Sequence, residues 1–190
     1  NEVYAKHGRL TPAQGSIWIA TADALRQLGR YDEAIQVADT FGERCRELKR
    51  IAPGAECEPR ALAMRALAEL DAGRKEAALS TMQTLRQQYP DMGRAGRDGR
   101  DGRLREANVR LLIASGGAAE AAEAVELMRE AYGMWLSVQP DSVYAAESLY
   151  WFGRAYRAAG DRRGDWMVKQ AREQLAKSPV ATHRRLAAGH

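Results

Sequence analysis

At 190 residues the chain is long enough to bury a core of its own, and its formal net charge of +4 is mild, with acidic residues interspersed among the basic ones. Alanine, leucine, glutamate and arginine dominate and strand-favouring runs are sparse, which argues against a sheet protein and for an all-α one. No apolar stretch approaches the ~20 residues that a membrane-spanning helix needs.

Of the 29 basic residues, 24 are arginines, a bias that a GC-rich bacterial genome produces without functional cause; the alternative is a surface selected for carboxylate or phosphate pairing. The start at Asn1 in place of methionine reads as a processed or excised piece of something larger, and residues 1–9 as the tail of a preceding helix. Thr11-Pro12 then caps and opens a helix over 12–28. Gly29 stops it, and a longer amphipathic helix follows over 31–51 until Pro53-Gly54 breaks the chain. Cys45 and Cys57 match no zinc spacing; they read as free thiols, with a short local bridge as the alternative in an oxidising compartment.

Glu58-Pro59 opens the next pair, predicted over 59–72 and 74–89 around Gly73 and closed by Tyr89-Pro90-Asp91. Residues 93–103 carry four glycines and a repeated Gly-Arg-Asp triplet, the composition of an exposed loop. Helices over 102–115 and 118–138 follow, turning at Gly117. Pro140-Asp141-Ser142 separates them from a last pair over 142–159 and 162–177, turning at Gly160. Ser178-Pro179 leads into a tail over 178–190 with a short terminal helix at 180–188. The stopping glycines at 29, 73, 117 and 160 are 44, 44 and 43 residues apart. One helix hairpin recurs four times, at about 11–52, 58–90, 102–138 and 141–177, within a single domain.

The run Leu149-Tyr150-Trp151-Phe152-Gly153-Arg154-Ala155-Tyr156 resembles the first-helix signature of tetratricopeptide repeats. Leu149, Phe152 and Tyr156 share one face, with Gly153 beside them admitting a close partner helix. In the first hairpin Trp18, Ala22 and Leu25 take the bulky, small and tyrosine positions. Leu28-Gly29-Arg30-Tyr31-Asp32-Glu33-Ala34 is similar to the family's turn and second-helix start. Leu62, Ala66, Ala78 and Pro90 match in the second; the third departs most, with Arg110 where a small residue belongs. The period of about 44 residues exceeds the family's usual 34, through longer second helices and the glycine-rich loop. HEAT-like repeats are the alternative at this period. The resemblance implies an all-α, right-handed solenoid of about four antiparallel hairpins that binds a protein or peptide on its concave face.

The sequence offers no catalytic constellation, no cofactor motif and no metal ligands at helical spacing; His7, His183 and His190 lie near the ends. The resemblance places first helices on the concave surface, which nominates Arg26, Gln27, Arg60, Met64, Tyr150, Trp151, Arg154 and Arg157 as partner-binding residues. A carboxylate clamp known in some family members is unsupported, because its positions in the first hairpin hold Ile19 and Asp23. Self-association through the same surface is an alternative. Nucleic acid contacted through Arg94, Arg97, Arg100, Arg103, Arg105 and Arg110 is another, which the absence of interleaved aromatics weighs against. The expected role is the interaction or regulatory module of a larger bacterial signalling or assembly protein, cytoplasmic and not inserted in a membrane.

Overall fold

The structure is a computed structural model that describes residues 12–51, 57–90 and 102–189. Among these it forms nine helices and no strand: α1 (Pro12–Gln27), α2 (Tyr31–Ile51), α3 (Glu58–Asp71), α4 (Lys75–Gln88), α5 (Gly102–Ser115), α6 (Ala118–Val138), α7 (Val143–Ala158), α8 (Arg163–Leu175) and α9 (Ala181–Ala188). Each lies within two residues of its expected span. The caps and breaks expected at Thr11 and Pro53-Gly54, the helix tail over 1–9 and the Gly-Arg-Asp loop as far as residue 101 fall outside the described residues.

Glycine in the left-handed region ends the first helix of each pair. Gly29, Gly73 and Gly160 have φ of 77°, 75° and 75°, which a side chain at Cβ would resist. Around each, the following amide reaches back five residues: Arg30 N–H to the Leu25 carbonyl at 2.9 Å, Arg74 to Glu69 at 2.8 Å and Asp161 to Tyr156 at 2.9 Å. That is a Schellman closure, which satisfies carbonyls the helix end would otherwise leave open. The third turn departs from expectation by one residue. Gly116, at φ 81°, is the left-handed stop, while Gly117 is extended at φ −82° and serves as the N-cap of α6. With two glycines in a row, one ends a helix and the other begins the next.

The chain divides into two compact units, residues 1–93 and 94–190. In the first, α1 packs on α2, α2 on α3, α3 on α4, and the two first helices α1 and α3 also meet. Small residues make this approach close: Ala22, Ala34, Ala66 and Ala78, each read from sequence as a packing position, are all buried. Trp18 stacks on Phe41 with ring centroids 6.5 Å apart. Cys45, read as a free thiol, is instead bonded to Cys57, with Cα atoms 5.6 Å apart. The reason is geometric: Cys45 sits on the buried face of α2 against Phe41 and Ala61, and Cys57 at the start of α3 packs against the same cluster. Spacing along the chain cannot report that juxtaposition.

In the second unit α5 packs on α6, α6 on α7, α7 on α8 and α8 on α9. Ser142 caps α7 by accepting the Ala145 N–H at 3.1 Å. Leu149, Phe152 and Tyr156 are each buried, as their shared face implied. Gly153 sits where α7 and α8 cross: a Cβ there would lie 2.8 Å from Val168 Cγ2 and 2.9 Å from the Gly164 carbonyl oxygen. Only hydrogen on both glycines permits that contact.

Candidate functional site

The eight nominated residues fall into three settings. Arg26 is 4% exposed and lies between two carboxylates, donating to Asp23 Oδ1 at 2.9 Å and to Asp71 Oδ2 at 2.7 Å. It ties the end of α1 to the end of α3. A buried guanidinium needs such partners, because an uncompensated buried charge costs several kcal/mol, ~3–5. Gln27 joins the same cluster through Asp23 Oδ2 at 3.1 Å. Met64 packs in the core against Ala22 and Ala38, while Arg60 on α3 is exposed.

Tyr150, Trp151, Arg154 and Arg157 share α7, and the structure brings the first three into one cluster. Tyr150 is 1% exposed and meets Trp151 edge to face at 5.2 Å between centroids. Trp151 is half-buried and packs against the hydrophobic groups of both α6–α7 and α7–α8. Arg154 donates to the Tyr150 hydroxyl at 3.1 Å, with its guanidinium 5.9 Å from that ring. Among the described residues no carboxylate pairs with Arg154, which leaves a half-exposed cation held against an aromatic. Arg157 turns away to α8, where its Nε bonds Asp165 Oδ1 at 2.7 Å.

Two contributors were missed. Arg110, which broke the repeat pattern in the third hairpin, places its guanidinium 5.0 Å over the Trp151 ring and pairs with Glu106 at 3.2 Å. The oversize residue on α5 thus caps an aromatic on α7, where a small one would expose it. His183, discounted near the chain end, is buried on α9 with Nδ1 2.9 Å from Ser178 Oγ and Nε2 3.4 Å from Glu147 Oε2. Ser178 is also buried and its hydroxyl accepts the Val180 N–H at 3.2 Å. These contacts tie α9 to α7; a signal for them lies only in tertiary placement.

Ion pairs shift their members in the usual direction. Arg30 holds the Glu33 carboxyl below its ordinary value, chiefly by hydrogen bonding. Arg65 is raised, first by its bond to Glu69; it also reaches Asp39 on α2 at 2.8 Å, and Glu69 accepts from Thr81 on α4 at 2.8 Å. That chain of bonds crosses three helices. Among the described residues no group of histidine, cysteine and carboxylates could hold a metal ion, and no helix is long and apolar enough to cross a membrane.

No curated protein matches the chain. Two crystal structures of a Podosopora anserina protein designated a kinesin light chain with nearly identical TPR-like repeats, one of them a single-site variant, are similar at 18% identity. Their TM-scores are 0.49 for the variant and 0.47, and the matches cover 93% and 94% of this chain and 82% and 83% of those chains. A tetratricopeptide repeat profile matches residues 60–91, that is α3, its Gly73 turn and α4, and the turns at Gly29 and Gly160 repeat the same closure. Residues 60–91 thus carry a tetratricopeptide repeat.

Proposed function

We propose that the chain is a protein- or peptide-binding scaffold, the interaction module of a larger bacterial signalling or assembly protein. Its partner site centres on Trp151 and Arg154 of α7, with Arg110 beside them. The observation that carries this reading is a half-exposed tryptophan, capped by Arg110, that shares α7 with Arg154, whose guanidinium is held by the Tyr150 hydroxyl and has no carboxylate among the described residues. Aromatic and arginine side chains supply most of the energy of protein interfaces, and a cation already held in place loses little freedom on binding. Arg60 and Arg157 are exposed and extend the surface within their own units. Arg26, Met64 and Tyr150 are buried and serve the surface from beneath.

Capture of partners from the native source by the wild type, Trp151→Ala and Arg154→Glu tests this. Each substitution should weaken capture of a genuine partner by about 2 kcal/mol or more, with the helical content unchanged. Equal capture by all three proteins would remove the site.

Self-association is a second reading, favoured by an apolar patch at the α6–α7 corner. Trp135 stacks on Tyr144 at 5.3 Å, and Leu136, Val138 and Tyr144 are 45%, 68% and 55% exposed. Sedimentation of the wild type beside Val138→Lys decides it: concentration-dependent mass lost in the variant supports a dimer. The Cys45–Cys57 bond supports an oxidising compartment over the cytoplasm, where thiols are kept reduced.

A further inference from the structure

A groove of about 410 Å³ opens in the first unit between the last turns of α2 and of α4, floored by the start of α3. Its chemistry is asymmetric. The lining carries one carboxylate, Glu58, and two cations, Arg46 and Lys49. Glu58 is buried and already engaged on both oxygens. Arg46 Nη1 donates to Oε1 at 2.9 Å, and the Tyr89 hydroxyl donates to Oε2. The Lys49 ammonium lies 4.9 Å from the Tyr89 ring centroid and has no carboxylate among the described residues. Arg46 keeps half of its side chain exposed after meeting Glu58, at 53%. The groove therefore presents one net positive charge, an apolar wall of Leu62 and the Tyr89 ring, and the Gln88 amide.

We infer that this groove binds a carboxylate carried on an apolar body, the anion taken by Lys49 and Arg46 and the body lying against Leu62 and the Tyr89 ring. Charge complementarity selects the anion: Glu58 opposes a second carboxylate less than the two cations attract it, because its own charge is matched by Arg46 and by a hydroxyl. Volume selects the size, since a few hundred Å³ suits a small molecule or one or two residues of a peptide. The walls are held for the task. Cys45 precedes Arg46 and Cys57 precedes Glu58, so the disulfide fixes the backbone on both sides of the ion pair that forms the groove's base. This site shares no residue with the α7 cluster and does not depend on the partner reading.

Two sources bear such a group, a free small carboxylic acid or chain terminus and an acidic side chain within a peptide. Titration of the oxidised full chain, followed by NMR shifts of the Leu62 and Thr84 methyls and the Tyr89 ring, tests the inference. The probes are N-acetylphenylalanine, its carboxamide, and an end-capped alanine peptide with a central glutamate. Saturable shifts with the first probe identify a terminal or free carboxylate; shifts with the glutamate peptide identify an acidic side chain. Either supports the site, provided that the carboxamide fails to bind. Lys49→Gln, an exposed substitution that the fold tolerates, should raise the Kd about tenfold, as loss of a charge-assisted hydrogen bond implies. No saturable shift with either acid, equal binding of the carboxamide, or an unchanged Kd in Lys49→Gln would each overturn it.

Discussion

Arg163 closes over Asp161 at the start of the last hairpin's second helix. Its Nε and Nη2 bond Oδ2 at 2.9 and 2.6 Å, and its backbone N–H bonds Oδ1 at 2.8 Å. The same guanidinium lies 4.5 Å over the Tyr156 ring. The side-chain bond from Arg163, then its backbone N–H, hold the Asp161 carboxyl below its ordinary value of 3.8. A carboxyl lowered on folding contributes stability above its unfolded value and loses it as the pH falls through the folded one. Both side chains are open to solvent, so the consequence is best read at the residue itself. A carboxyl-detected NMR titration should find the Asp161 midpoint below 3.8, and Arg163→Gln should move it upward. The backbone donor remains in that variant, so the return should be partial. Identical midpoints would show that the clasp does not hold in solution.

Between elements, the contact that admits least change is the crossing of α7 over α8. Gly153→Ala would drive a methyl against Val168 and the Gly164 carbonyl, and overpacking of this kind costs about 1–3 kcal/mol. Gly133, inside α6, provides the opposite case, because a Cβ there meets nothing within 4 Å. Gly133→Ala should therefore stabilise by ~0.5–1 kcal/mol, the helix-propensity difference alone. Denaturant melts of the two variants should move in opposite directions; movement together would remove the packing argument. The connection from α2 to α3 is stapled by Cys45–Cys57, which closes a loop 12 residues apart in sequence. Reduction should cost the first unit about 2–4 kcal/mol, while a Cys45→Ala, Cys57→Ala double variant should be indifferent to reductant. Sensitivity persisting in the double variant would place the effect elsewhere.

At the scale of the whole molecule, helices and turns were legible because a left-handed glycine leaves a mark in sequence whatever packs around it. Packing alanines were legible for a similar reason, at Ala22, Ala34, Ala66 and Ala78. Which neighbour on a helix faces inward was not: Tyr150 is buried and Trp151 half-exposed, although the two are adjacent and chemically alike. Pairings between distant helices were equally hidden, as the disulfide, the Arg110–Trp151 stack and the Glu147–His183 contact show. Each depends on tertiary placement that helical periodicity cannot encode. The division into residues 1–93 and 94–190 carries a last consequence. The first unit buries Met64, Leu67 and Leu85 and has the disulfide; the second buries Phe152, Val168 and Leu175 around its own aromatic cluster. Near 95 residues a core can sustain itself without partners, though narrowly. Expressed separately, each unit should give a helical spectrum and a cooperative melt, and reductant should lower the melt of residues 1–93 alone. A half that stays unfolded while the full chain folds would mean that its core is completed by the other, and the array would have to be treated as one cooperative body.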